Sequence, residues 1–221
     1  MTIHTIQSAA SATRPKWALF HNPTGTTIHR NLVIVGDGAC GKTCLSLMLS
    51  KGEFPEIYVP TILEDHTVSV EVDTKHVELA LWDTSGQDCY DRIRALIYPE
   101  SHAILICFAI DWPTSLDNVR EKWISEVMHF SAGVPIILVG CKKDLRDDPK
   151  TIEELGKTGQ KPVTAEEGMA VAQSIGARHY LECSAKSGEG VHEVLQYATR
   201  ATLLRLEPLL SLPPCADTHT A

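Results

Sequence analysis

A glycine-rich loop with a lysine near its end directly follows four aliphatic residues, 32–35. Glycines at both ends of such a loop let the backbone curl, so that successive amide groups point at one anion. A helix that starts near Lys42 would add the positive end of its dipole. The loop therefore predicts a nucleoside phosphate site, made of Gly36, Asp37, Gly38, Ala39, Cys40, Gly41, Lys42, Thr43 and Cys44.

Two side chains of this loop have distinct chemistry. Lys42 can reach the β- and γ-phosphates as a point charge, and the Thr43 hydroxyl can coordinate Mg²⁺. The alternative is a glycine-rich turn that binds nothing. The apolar strand before the loop and the apolar helix after it favour the phosphate site.

A second segment carries polar groups at the end of a predicted strand, residues 79–82. Asp83 can bind a water molecule of the Mg²⁺ shell. The Gly86 amide can contact a γ-phosphate, and Gln87 can orient an attacking water. Asp83 thus joins Thr43 as a predicted metal ligand, and Gln87 joins Lys42 as a predicted catalytic residue.

Two later segments predict which base is bound. The apolar run 134–140 ends in Cys141, Lys142 and, two residues on, Asp144. A carboxylate there accepts two hydrogen bonds from guanine that adenine cannot supply, so the wrong base leaves a buried acceptor unpaired. A following turn, whose backbone amide can contact the guanine O6 atom, contains Ser184, Ala185 and Lys186. These two segments together disfavour an adenine-nucleotide kinase.

Strands and helices alternate along the chain, which predicts an α/β doubly wound sheet with its ligand at the carboxyl ends of the strands. An alternating segment at 66–72, a turn and a run at 77–82 predict an antiparallel hairpin. Helix 115–130 places its apolar residues on one face, where they should be core: Leu116, Val119, Trp123 and Val127. The other predicted elements are strands 30–35 and 102–108 and helices 43–50, 164–175 and 191–204.

Composition narrows the class of protein further. A net charge of −8 argues against nucleic-acid binding, and no apolar run is long enough to span a membrane. The seven cysteines show no paired spacing, which indicates reduced thiols. Positive potential at the phosphate loop could lower the pKa of Cys40 or Cys44. For Cys44 we favour a small buried residue without a redox role. For Cys40 a redox role remains an open alternative.

In this order and spacing, the motifs resemble those of Ras-superfamily small GTPases, and the segments between them resemble the Rho family. The similarity covers about residues 30–204 and is strongest to fungal Rho proteins that govern cell-wall glucan synthesis and polarity. The segments that carry it are 54–61, 76–83, 123–127 and 143–155, the last resembling the Rho helical insert. The resemblance implies a P-loop NTPase fold, the Ras-like G domain, with a mostly parallel six-stranded sheet.

The resemblance also assigns residues and partners. It places Phe54 against the guanine, Tyr58 beside the nucleotide, and Thr61 on Mg²⁺ and the γ-phosphate. At the position of Cys141 Rho relatives carry Thr or Cys, so this residue fits the family. The implied activity is that of a monomeric switch that hydrolyses GTP slowly to GDP and regulates actin, polarity or wall synthesis. The implied partners are an exchange factor, a GTPase-activating protein, and effectors such as kinases or glucan synthase.

Some residues depart from the Rho pattern. Leu63, Asp65 and His66 stand where Phe, Asn and Tyr are usual, and these side chains are expected to face effectors. Ser85 replaces the usual alanine beside Gly86. These changes favour an alternative function, a nucleotide-bound decoy or scaffold with impaired effector coupling. The intact catalytic and metal-binding residues of the motifs oppose it.

Three regions are expected: a disordered extension at 1–29, the GTPase domain at 30–204, and a disordered tail at 205–221. An organellar presequence is the less favoured alternative for 1–29, because arginines are few. Rho proteins end in a basic stretch and a prenylated cysteine four residues from the terminus. In this sequence Cys215 is followed by six residues and no Lys or Arg follows Arg205, so the prenylation box is absent.

We therefore expect a cytoplasmic protein with doubtful membrane attachment, because stable anchoring usually takes two signals. Fractionation of cells that express the chain should leave most of it in the supernatant. Pelleting with membranes that Cys215→Ser abolishes would contradict this expectation.

Overall fold

A computed structural model describes residues 26–57 and 60–204 of the chain. The predictions for 1–25, for Tyr58 and for 205–221 lie outside these residues. The first strand begins at Ile28, so residues 28 and 29, assigned above to the extension, belong to the folded domain.

Six strands form one sheet in the order β2-β3-β1-β4-β5-β6. Only the β2–β3 pair is antiparallel, which confirms the predicted hairpin and the mostly parallel sheet. The strands are β1 (Ile28–Gly36), β2 (Leu63–Val72), β3 (Lys75–Thr84), β4 (Ala103–Ala109), β5 (Ile136–Cys141) and β6 (His179–Glu182). The helices are α1 (Lys42–Lys51), α2 (Asp91–Ile97), α3 (Pro113–Asn118), α4 (Ile124–Phe130), α5 (Pro149–Gly156), α6 (Ala165–Ser174) and α7 (Val191–Thr202).

The central strand β1 is buried on both faces, as its continuous aliphatic run predicts. Because successive side chains of a strand point to opposite faces, Leu32 and Ile34 enter one core cluster while Val33 and Val35 enter the other. Helices α1 and α7 supply the first cluster, and α3, α4 and α6 supply the second. Because β1, β3, β4, β5 and β6 run parallel, the loops that follow β1, β3, β5 and β6 all emerge at one edge of the sheet.

Between α3 and α4 the helix passes through a π-helical turn, Val119–Trp123. The predicted core residues of this helix are all buried, Trp123 completely. The π turn was not predicted, because the α-helical spacing of those apolar residues carries no sign of it. The predicted helix at 164–175 is α6, and Thr164 and Glu167 form a reciprocal capping box at its start.

Helix α6 packs tightly on strand β6, which leads into the turn at Ser184. A Cβ atom added at Gly168 would lie 2.1 Å from the Tyr180 hydroxyl oxygen. Tyr180 cannot easily move, since its ring stacks on Phe108 and its hydroxyl donates to Glu182 at 2.5 Å. Only a residue without a side chain fits between α6 and Tyr180.

We predict that Gly168→Ala lowers the free energy of unfolding by about 1–3 kcal/mol, because of this overpacking. Gly156→Ala is the matched control: it also lies in a helix, but nothing lies within 4 Å of its added Cβ. The control should be neutral or stabilise by up to about 1 kcal/mol. Urea denaturation of both variants measures the difference, and equal midpoints would contradict it.

Candidate functional site

Two adjoining cavities open at the carboxyl edge of the sheet. The larger, about 500 Å³, is lined by the phosphate loop together with Thr61, Gly86 and Gln87. The smaller, about 170 Å³, is lined by Phe54, Asp144, Leu145, Cys183, Ala185 and Lys186, among others. Both cavities share Gly41, Cys44 and Lys142, so they form one cleft. The structure thus brings most of the predicted site residues that it describes to this cleft, whereas Gly36, Asp37, Cys40, Asp83 and Ser184 lie behind its lining.

The phosphate loop has the backbone that its glycines predict. Gly36 and Gly41 adopt φ values of 138° and 105°. A side chain at Gly36 would also collide with the Cys107 carbonyl oxygen, 2.1 Å from an added Cβ. Lys42 is buried, and its Nζ donates to the carbonyl oxygens of Gly36 at 2.8 Å and Asp37 at 2.6 Å. The lysine therefore lies across its own loop.

Asp37, the second residue of this loop, is held by the helix behind it. Its carboxylate accepts hydrogen bonds from Trp123 Nε1 at 2.7 Å and Asn118 Nδ2 at 2.6 Å. Asn118 and Trp123 are five positions apart. A π turn bonds residues five apart and thereby aligns them, whereas α-helical neighbours are three or four apart. The π turn is thus what lets both donors reach one carboxylate beside the phosphate site.

Two predicted metal ligands, Thr43 and Thr61, line the larger cavity, and the third, Asp83, lies beside Thr43. The Thr43 and Thr61 hydroxyl oxygens lie 2.8 Å apart. Asp83 is buried, and neither of its carboxylate oxygens has a partner with hydrogen-bond geometry among the described residues. Burial raises the pKa of Asp83, against the lowering effects of Thr43 and Lys42. A buried carboxylate beside two hydroxyl oxygens suits a hard divalent cation such as Mg²⁺.

The loop that carries Gln87 lies directly on the phosphate loop. A Cβ atom at Gly86 would lie 2.3 Å from the Gly36 carbonyl oxygen and 2.4 Å from the Gly38 nitrogen, so only glycine fits. Ser85, the departure from the Rho pattern, accepts the Gln87 N–H at 3.4 Å. The Gln87 side chain is exposed to the cavity mouth. Its position suits a group that orients water.

The smaller cavity has the polar groups that a guanine requires. Asp144 Oδ1 accepts the Ser184 hydroxyl at 2.6 Å, which orients the carboxylate and joins the two predicted base segments. The Lys143 N–H donates to the Cys183 carbonyl at 3.0 Å and adds a second link. Lys142 adopts a left-handed φ of 60° and pairs with Asp111 at 3.1 Å. Phe54, 43% exposed, lies at the opening of the cavity.

The hypothesis of an activated thiol at the phosphate loop is wrong. Cys40 is completely buried, and desolvation raises its pKa to about 11 although Lys42 lies nearby. Burial also raises the pKa of Cys44. The loss of solvation therefore outweighs the positive potential that suggested thiolates here.

The residues that depart from the Rho pattern do not all face solvent as expected. Asp65 is exposed and Leu63 is half-buried. The His66 side chain is only 13% exposed, with Nε2 3.5 Å from a Glu64 carboxylate oxygen. Most of His66 therefore packs inward and offers little surface to a partner.

Sequence reasoning missed a buried arginine next to the site. Arg94 of α2 lies beneath the loop of Gln87 and bonds to it and to Glu126 of α4. Asn118 and the polar role of Trp123 were missed as well. These contacts join residues 7 to 86 positions apart, so no local pattern marks them.

The fold and the cleft define a P-loop nucleotide-binding protein of the Ras-like class. Residues 31–204 match the Ras family model. The chain is 67% identical to GTP-binding protein rho1 and 66% identical to GTP-binding protein rho5 of Schizosaccharomyces pombe, in each case over 83% of its length and 91% and 92% of theirs. It is 64% identical to GTP-binding protein RHO1 of Saccharomyces cerevisiae, over 81% of its length and 86% of that protein.

The chain belongs to the Ras family and, within it, to the fungal Rho-type small GTPases. It is accordingly a small GTPase that binds guanine nucleotide and hydrolyses GTP. Within residues 26–57 and 60–204, no helix combines the length and hydrophobicity needed to cross a bilayer.

The base site generates a test. Asp144→Asn should lose guanine preference and gain xanthine-nucleotide binding, because an amide suits the xanthine edge, where an oxygen replaces the guanine amino group. Asp147→Asn is the control, since Asp147 is exposed and lines neither cavity. Competition binding with GDP and xanthosine diphosphate measures the switch. Unchanged GDP affinity in Asp144→Asn would remove this carboxylate from the base site.

Proposed function

We propose that this cleft binds and hydrolyses GTP in a Rho-type GTPase cycle, and that Gln87 orients the attacking water. Water attacks the γ-phosphorus, the bond to the β-phosphate oxygen breaks, and GDP and phosphate leave. Lys42, held between two carbonyl groups, is placed to stabilise the charge on the β- and γ-phosphate oxygens. The observation that carries the proposal is the convergence of Lys42, Thr43, Thr61, Gly86 and Gln87 on one cavity.

We assign the metal to the oxygen-rich side of that cavity. Thr43 and Thr61 would hold Mg²⁺ with Asp83, directly or through its water shell, and the ion would neutralise phosphate charge. The support is the buried carboxylate of Asp83 without a hydrogen-bond partner among the described residues. A divalent cation there would offset the desolvation that raises the pKa of Asp83.

Intrinsic hydrolysis should be slow. None of the described residues that line the phosphate cavity is an arginine. An arginine from an activating protein typically accelerates this reaction by about 10³–10⁵-fold. A Rho-type activating protein would therefore set the lifetime of the GTP state.

The switch itself involves the segments of Thr61 and Gly86. The Ser85 N–H donates to the Ile62 carbonyl at 3.1 Å, which couples the two segments next to the phosphate cavity. Contacts of a γ-phosphate with Thr61 and Gly86 would order both segments, and hydrolysis would release them. Effectors and exchange factors would then distinguish the two nucleotide states.

The pathway we propose is control of polarity and cell-wall synthesis through kinases or glucan synthase. It rests on the resemblance to fungal Rho proteins that do this. The second candidate, a nucleotide-bound decoy or scaffold, rests on Asp65, which is exposed where effectors would bind, and on Ser85, whose hydroxyl engages the Gln87 amide.

Single-turnover hydrolysis separates the two candidates. Gln87→Leu should bind GTP normally and hydrolyse it at least about tenfold more slowly, because the positioned water is lost. Gln173→Leu, exposed on α6 and outside both cavities, is the control and should match the wild type. The assay is run with and without a Rho-type activating protein. If the wild type is no faster than Gln87→Leu in both conditions, the decoy function is correct.

A further inference from the structure

The loop of Gln87 is held from below by one buried side chain. Arg94, on α2, is 1% exposed. Its Nη1 donates to the Ser85 carbonyl at 2.7 Å and to the Gln87 carbonyl at 3.1 Å. Those two carbonyls flank Gly86, so the guanidinium fixes the backbone on both sides of the residue that lies on the phosphate loop.

The other end of Arg94 is fixed equally firmly. Nε and Nη2 donate to the two carboxylate oxygens of Glu126, at 2.8 and 3.1 Å, and Nη2 also bonds to Asp91. The five N–H groups of the guanidinium are thereby matched by five hydrogen bonds. Glu126 is itself anchored, since its Oε1 accepts the Tyr98 hydroxyl at 2.7 Å. Burial raises the pKa of Glu126, but the bonds from Arg94 and Tyr98 outweigh it and leave the pKa lowered, so Glu126 is ionised.

The arginine also touches the support of the phosphate loop. Its guanidinium lies 4.9 Å from the centroid of the Trp123 ring, and the Trp123 indole N–H bonds to Asp37. The helix that contains Trp123 and Glu126 thus contacts the supports of both sides of the phosphate cavity. One side is the loop of Asp37, and the other is the loop of Gln87.

We propose that Arg94 is a positioning residue for hydrolysis, which holds the Gly86 amide and Gln87 where the γ-phosphate and the attacking water meet them. This inference rests on the proposed role of Gln87. A planar group with five donors in a fixed geometry suits this task, whereas the ammonium group of a lysine has only three donors and cannot replace all five hydrogen bonds. A small displacement of catalytic groups can cost up to about a hundredfold in rate.

Three variants test the role by single-turnover GTP hydrolysis. Arg94→Met and Arg94→Lys should both reduce the rate by about ten- to a hundredfold, while GDP affinity changes by less than about twofold. Arg92→Met is the matched control, because Arg92 lies on the same helix and is exposed. It should hydrolyse GTP at the wild-type rate. Wild-type hydrolysis by Arg94→Lys would overturn the geometric role, because charge alone would then suffice.

A double variant distinguishes positioning from general structural support. If Arg94 acts mainly through Gln87, then Arg94→Lys should slow hydrolysis clearly less in a Gln87→Leu background than in the wild type, and the remaining loss would reflect the Gly86 amide. Full additivity, or GDP release accelerated in parallel with the loss of hydrolysis, would overturn the proposal. A wild type no faster than Gln87→Leu would instead refute the proposed function itself.

Removal of Arg94 leaves a carboxylate without its cation, which could prevent folding. Glu126→Gln keeps the size of the side chain but removes its charge and replaces one of the two oxygens that accept from Arg94 by an amide donor. It should fold and lose about three- to tenfold in hydrolysis at unchanged GDP affinity. Hydrolysis by Glu126→Gln at the wild-type rate would contradict the arrangement even if no Arg94 variant could be purified.

Discussion

The close approach of three backbone segments beneath the phosphate cavity is the constraint on which the site depends. Gly36 lies against the Cys107 carbonyl, and Gly86 lies against Gly36 and Gly38. A single methyl group at Gly36 or Gly86 would separate the strands from the loops that they carry. Because β1 is hydrogen-bonded to both β3 and β4, the sheet holds these segments at the required distance. The cavity is therefore a property of the sheet edge rather than of one loop.

Charges near this edge are managed by burial and pairing. Lys42 donates to the carbonyl oxygens of its own loop, and Asp37 accepts hydrogen bonds from an indole and an amide. Asp83 differs, because its buried carboxylate has no such partner among the described residues. An unpartnered buried carboxylate is costly, which suits Asp83 to receive a cation.

The Rho-type switch requires segments that can move, yet catalysis requires groups held accurately in place. The hydrogen bonds of Arg94 suggest how one loop meets both demands. Its carbonyl groups are tied to a guanidinium, which is anchored on α4 through Glu126, while the Gln87 side chain stays exposed. Because the anchor is ionic and buried, it would be insensitive to salt and strict in its geometry.

The sequence by itself determined the fold class and the guanine nucleotide, and it predicted the site residues. Short motifs express local requirements. Gly36 must adopt a positive φ, and Asp144 places a carboxylate after a buried strand. Such requirements can be recognised from the sequence alone. The alternation of strands and helices then places the motifs on one sheet edge.

Only the tertiary structure decided which polar groups support that edge. The pairing of Trp123 with Asp37 depends on a π turn, and the contacts of Arg94 join segments far apart in sequence. The thiol of Cys40 shows the same limit, because its neighbours in sequence suggest a low pKa while complete burial produces a high one. Desolvation and long-range hydrogen bonds arise from packing in three dimensions, and the order of residues along the chain does not reveal them.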